Sequence, residues 1–290
     1  MNDAEAGPSL ASWQLNGPGF DIVVTGPAAA LAGLAARFPA VPRWAVSTVQ
    51  AGCTTLEVEQ EPAGGAFRIL RDGLPVAGAD DAEALPGQLD RAISRVAVEG
   101  LGRRNLVFRA GAVARAGRGL LMAAPPASGL TTLLAALVAS GFRYVGDEVA
   151  VVDATERLLP FPRSLRLGAA WSSALRLTLP GLPPPASYAC LEGGPAFFHV
   201  PEAGQWADTA APIGFVVFPR YIPGARTALV QIDRSEALER LLLQTLNLPP
   251  RGADDIARIV GLLRHAACYR LNVGNLREAV ATLAAAVASG

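Results

Sequence analysis

Residues 105–153 carry the pattern that most restricts what this chain can fold into. NLVFRAGAVARAGRGLLMAA (105–124) reads as two apolar strands separated by a Gly turn, as a buried sheet requires. A short Pro/Gly loop follows, then an apolar helix over TTLLAALVASG (131–141), with Gly141 placed to cap it. FRYVGDEVAVVD (142–153) is a further apolar strand, interrupted by Asp147-Glu148. Strand, tight loop, helix, and strand with acids is the βαβ logic of a nucleotide-binding core, so the chain is expected to be α/β from about residue 102 onward.

The loop itself reads Ala124-Pro125-Pro126-Ala127-Ser128-Gly129-Leu130-Thr131-Thr132. In the frame G-x-x-x-x-G-K-[ST], a Lys after the second Gly reaches the β/γ-phosphates, and Leu130 stands at that position. No other lysine can substitute: the chain has none, and all 25 of its basic residues are Arg. Backbone N–H groups at a helix N-terminus attract anions even without Lys, and Ser128, Gly129, Leu130 and Thr131 would supply them. The plainer alternative is a strand-to-helix turn kept for folding. Ala127 stands where a loop Gly is expected, so a positive φ there would be costly.

The first hundred residues read differently. FDIVVTG (20–26) is a strand, AAALAGLAARF (28–38) a short helix stopped by Pro39, and TTLEVEQ (54–60) and AFRILRDG (66–73) a hairpin turning through EPAGG. A helix is expected from about Gln88, with Leu89, Ile93, Val96 and Leu101 as its stripe. Beyond the loop region, GFVVFPRY (214–221) and ACYRLNVG (267–274) are strands, while 236–246, 254–267 and 276–287 are helices. The expectation is a mixed α+β N-terminal domain over 1–101 and an α/β domain over 102–290.

Composition narrows the function classes. With 25 acids against 25 arginines, the chain lacks the basic excess of a sequence-independent nucleic-acid binder. Cys53, Cys190 and Cys268 lie far apart with no C-x-x-C pair, which speaks against a disulfide framework or zinc site and for a reducing compartment. The first residues are polar and acidic, unlike a secretory signal, and no apolar run reaches the roughly 18 residues that span a bilayer. A cytoplasmic protein without membrane or nucleic-acid partners is expected. Trp13, Trp44, Trp171 and Trp206 share no spacing and are assigned to packing, as are His199 and His265.

Taken together, LLMAAPPASGLTTLLAALVASGFRYVGDEVAVVD, PFPRSLRL (160–167), VVFPRY (216–221) and the terminal helix–CYRL–helix run resemble the HPr kinase/phosphorylase-like family, particularly its HPr-kinase-related kinase A group. The resemblance covers roughly residues 105–285. It implies a PEP-carboxykinase-like P-loop kinase core, ATP and Mg²⁺ as cofactors, phosphate transfer to a Ser/Thr hydroxyl of a peptide or small protein, and a homo-oligomer as one allowed assembly. Carried over, it makes Ser128, Gly129, Leu130, Thr131 and Thr132 the nucleotide-binding loop and gives Mg²⁺ to Thr131 and Glu148. Asp147 becomes the carboxylate that takes the hydroxyl proton or holds metal, with Arg163 and Arg220 as phosphate-binding candidates. Arg109 occupies the place of a family His, and His199 that of another. Leu130, Ala127 and Arg109 all depart from the pattern. Losing the lysine removes electrostatic stabilisation, the main catalytic term in phosphoryl transfer. The expected function is therefore a pseudokinase that binds a peptide, protein or partner enzyme. The alternative is an active ATP-dependent Ser/Thr kinase that uses Arg109 in place of Lys.

Overall fold

The computed structural model describes residues 9–17, 19–39, 53–61, 65–161, 163–168, 175, 179, 185–191, 194–247 and 252–289. Trp44 and Trp171 lie outside them. The chain is mixed α/β, with three sheets of five, nine and three strands.

The first sheet runs β1 (Leu10–Gly17), β2 (Phe20–Pro27), β3 (Cys53–Gln60), β4 (Phe67–Arg71) and β5 (Leu74–Ala79), in that spatial order. β2 alternates strictly between buried and half-buried positions, the signature of a sheet with one face covered. The expected helix over 28–38 is instead two single turns, α1 (Ala28–Leu31) and α2 (Leu34–Arg37). Gly33 causes the break by taking a left-handed backbone, φ 78°, between them. α3 (Leu85–Leu101) starts three residues earlier than its stripe suggested, with Pro86 in its first turn. Leu89, Ile93 and Val96 of α3 pack on Ile22, Val24, Leu56 and Ile69 of the sheet. The same apolar cluster continues into Val107, Val149, Val151 and Phe161 of the next sheet.

That second sheet contains β6 (Leu106–Phe108), β7 (Ala110–Arg115), β8 (Arg118–Ala123), β9 (Arg143–Gly146), β10 (Ala150–Val152), β11 (Arg157–Leu159), β15 (Ala211–Tyr221), β16 (Ala228–Gln231) and β17 (Ala267–Val273). The 105–124 run is thus three strands rather than two. Arg109 makes the extra break, its N–H donating to the Gln244 carbonyl and not to a neighbouring strand. β8, β15 and β17 are mutually parallel and central. Their side chains are buried on both faces. Leu120 and Met122 meet α4 (Leu130–Ala139) and α7 (Leu276–Ser289), while Leu121 and Val216 meet α5 (Arg234–Leu242) and α6 (Ala253–His265). Gly111 of β7 lets α4 close in, since a Cβ there would stand 2.2 Å from Leu134 Cδ1. The third sheet is β12 (Leu165–Gly168), β14 (Gly194–His199) and β13 (Pro185–Leu191), with β14 in the middle. No described helix is long and apolar enough to cross a membrane.

Arg163 joins these layers. It is 4% exposed, and its guanidinium donates to Asp90 Oδ2 at 2.7 Å and to Ser94 Oγ, both on α3, while also pairing with Glu148. Its plane lies over Phe38, 5.5 Å from the ring centroid. The Arg163 carbonyl accepts from Tyr144 Oη, and the next residue, Ser164, binds the Ala36 and Arg37 carbonyls. Removing one member of a buried ionic cluster strands the others without water. Arg163→Ala should therefore cost about 3–5 kcal/mol. Arg166 holds the same Glu148 from a more exposed position, so Arg166→Ala should cost about 1 kcal/mol or less. Urea denaturation of both variants checks this; equal losses would remove Arg163 from its place as the joint.

Candidate functional site

The loop leaves β8 at the C-terminal ends of the three parallel strands, where crevices in open α/β sheets form. Here a cavity of about 1190 Å³ opens between the loop, α3, Asp147-Glu148, the end of β15 and the start of α7. Ala127 has φ 62°, a left-handed conformation that costs an L-residue roughly 1–2 kcal/mol. Gly129 follows at φ 83°, and a Cβ there would also crowd Tyr221 Cβ at 3.2 Å. Tyr221 N–H ties the loop down through the Ser128 carbonyl at 3.1 Å. The loop thus turns tightly from β8 into α4 with both Ala127 and Gly129 in the left-handed region.

Among the described residues, the N–H groups of residues 127–132 donate to no protein acceptor. They surround the N-terminus of α4, whose dipole adds partial positive charge. Ser128 Oγ is buried beside them without a hydrogen-bond partner. Thr131 and Thr132 are half-buried and line the cavity. Leu130, at the lysine position, is half-buried and packs against the α4–α7 core. It contributes no charge.

Thr131 Oγ1 donates to Asp147 Oδ1 at 3.3 Å, and Glu148 N–H donates to the same oxygen at 2.9 Å. Asp147 is 1% exposed, and its Oδ2 has no partner. Burial and the neighbouring Glu148 charge raise its carboxyl to about 7. Glu148 moves the other way. Burial pushes its carboxyl upward, but Arg163 and Arg166 outweigh that and hold it below the usual range. Both Glu148 oxygens are taken, each 2.5 Å from one of these guanidiniums, and its backbone sits at φ 63°. The expectation that Glu148 would join Thr131 in holding Mg²⁺ therefore meets a different arrangement: Asp147, not Glu148, stands beside Thr131. Two hard oxygens, one of them a buried carboxylate with a free lone pair, form a donor set that suits Mg²⁺. No group of three His, Cys, Asp or Glu able to hold a metal occurs among the described residues.

The three arginines do not converge. Arg109 is exposed at the cavity wall, and its side chain has no hydrogen bond or ion pair among the described residues. Arg163 lines the cavity but is committed to Asp90, Ser94 and Glu148. Arg220 is exposed and points away, since it is its strand neighbours Pro219 and Tyr221 that line the cavity. His199 is buried in β14, away from the loop, and His265 is exposed at the end of α6. Trp206 packs edge-on against Tyr144 at 4.8 Å, and Trp13 lies 6.0 Å from Phe38. Reading the sequence as a set of motifs missed Asp90, Ser94 and Arg95. The signal was present: Asp90 and Ser94 are one turn apart, each immediately following an apolar-stripe residue of α3.

No family model matches the chain, and no curated protein matches it by sequence. Among solved structures, it is similar to the Hpr(Ser) kinase/phosphatase from Coxiella burnetii, at 10% identity and a TM-score of 0.30, over 63% of this chain and 99% of that one. A likeness at that level decides nothing about the chemistry of the cavity.

The Asp147 carboxyl supplies a pH test. Its folded value lies above the ordinary carboxylate value, so the native state binds the extra proton and is favoured at low pH. That contribution is complete below about pH 4 and is lost as pH rises through about 7. Asp147→Asn should then stabilise the protein at pH 8 by on the order of 2 kcal/mol and by progressively less toward pH 5. Thermal unfolding across that range checks it, and a gain that grew on acidification would reverse the assignment.

Proposed function

We propose that this protein is a P-loop pseudokinase with a PEP-carboxykinase-like core. In this reading it holds the phosphates of a nucleotide on the 127–132 amides and acts by binding a peptide or protein partner rather than by transferring phosphate. The observation that carries the reading is Leu130. Where phosphoryl transfer needs a mobile cation on the β/γ-phosphates, a half-buried apolar side chain packs against the core, and the chain contains no lysine at all. Retained binding is supported by the six undonated amides and the unpartnered Ser128 Oγ. Thr131 and Asp147 would hold Mg²⁺, which when bound offsets phosphate charge.

A second reading, an active Ser/Thr kinase, is favoured by one observation: Arg109 presents an uncommitted guanidinium to the same cavity as the loop. In that case Asp147, with its carboxyl near 7, would take the hydroxyl proton.

Isothermal titration with Mg–ATP, run beside Leu130→Lys, tests the proposal. Wild type should bind weakly, and the variant about tenfold tighter or more, the worth of one charge-assisted hydrogen bond. Wild type should transfer no γ-phosphate to a Ser/Thr peptide library. Transfer that Asp147→Asn and Arg109→Ala both abolish would establish the kinase instead.

A further inference from the structure

The cavity has a second charged wall that the phosphate loop does not use. Arg95 on α3 and Arg109 before β7 both line it, both are exposed, and neither side chain has a hydrogen bond or ion pair among the described residues. The acids lining the same space are Asp90, Asp147 and Glu148. Asp90 Oδ2 and Glu148 pair with Arg163 and Arg166, and Asp147 Oδ1 with Thr131, leaving Asp90 Oδ1 and Asp147 Oδ2 buried without a partner. Positive charge is therefore in excess along α3 and at the root of the loop, where Ala110 pairs with Ala123. At about 1190 Å³, the space also exceeds the roughly 300–1,000 Å³ of ordinary small-ligand pockets.

A strand edge completes this wall. Arg166, Leu167 and Gly168 are consecutive in β12, yet all three line the cavity. Neighbours in a strand point to opposite faces, so the cavity meets the edge of β12 rather than one of its faces. The faces are accounted for: Leu165 and Leu167 pack into the α4–α7 core, and Arg166 holds Glu148. Among the described residues, β12 pairs on one side only, with β14, and its backbone makes no other hydrogen bond. An open edge is a template for adding a strand.

We propose that the cavity binds an extended acidic peptide, which adds to the free edge of β12 and places its carboxylates against Arg95 and Arg109. This names the partner class for the pseudokinase reading and rests on it for the companion nucleotide at the loop. Backbone pairing supplies register-independent affinity, and the arginines select charge. With Arg95 in no ion pair among the described residues and Arg109 acting only on a Glu148 already held by two arginines, the lining is complementary to an acidic segment, not to a basic one.

The test uses the full chain and fluorescence anisotropy. The probes are a labelled short peptide of alternating Glu and Val, its Lys/Val counterpart, and the Glu/Val peptide N-methylated at alternate residues. The Glu/Val peptide should bind. The Lys/Val and N-methylated peptides should each bind at least about tenfold more weakly, and Arg95→Glu should weaken the first by about the same factor. Equal binding of the two charge types, indifference to N-methylation, or tighter binding of a single-stranded oligonucleotide would overturn the proposal. A Mg–ATP titration of the same sample separates the two readings. Heat from ATP without peptide discrimination leaves the nucleotide site standing and removes the peptide. Peptide discrimination without ATP heat does the reverse.

Discussion

Arg163 is one side chain on which three parts of the molecule close. Its guanidinium reaches Asp90 and Ser94 on the helix that covers the first sheet. It reaches Glu148 at the turn following β9 and lies over Phe38 beside α2. A buried guanidinium must be paired on nearly every donor, because the cost of desolvating a lone charge is several kcal/mol. That requirement fixes the spacing between α3 and the Asp147-Glu148 turn, both of which line the cavity. The same pairing holds Glu148 ionised in a left-handed backbone, while Asp90 Oδ1 and Asp147 Oδ2 stay buried without a partner.

The turn from β8 into α4 holds two left-handed residues, Ala127 and Gly129. Ala127 takes a glycine's backbone angle and Leu130 takes a lysine's position, yet the amides of 127–132 remain undonated. What keeps the shape is the surroundings. β8 is pinned between β7 and β15, α4 is buried along most of its length, and Tyr221 clamps the Ser128 carbonyl. A turn over-determined at both ends tolerates local strain of 1–2 kcal/mol.

Much of the architecture was legible from apolar periodicity. The strands at β2, β3, β4 and β17 and the helices α3 to α7 fall where their patterns place them, with ends shifted by a few residues. β1 and β5 were not legible. They are the edges of their sheet, largely solvent-facing, and LPVAGA in particular offers no alternation to read. The single helix expected at 28–38 failed because one glycine's backbone choice outweighed a favourable composition. The loop, Asp147 and Arg109, picked out in series along the chain, line one cavity. The commitment of Arg163 was not legible, because its partner Asp90 lies 73 residues away.

The amino-acid sequence by itself determined the βαβ order, the absence of lysine, and the acidic pair that follows the loop helix. These are properties of adjacent residues and of composition, and no folding can change them. The fold alone settles that Arg163 is committed to Asp90, Ser94 and Glu148, which of two adjacent carboxylates faces Thr131, and that β12 pairs only with β14 among the described residues. Each of those depends on pairing between segments distant in sequence. Buried charge and unpaired backbone are satisfied by whatever the fold brings near, and nothing in a local pattern records that proximity.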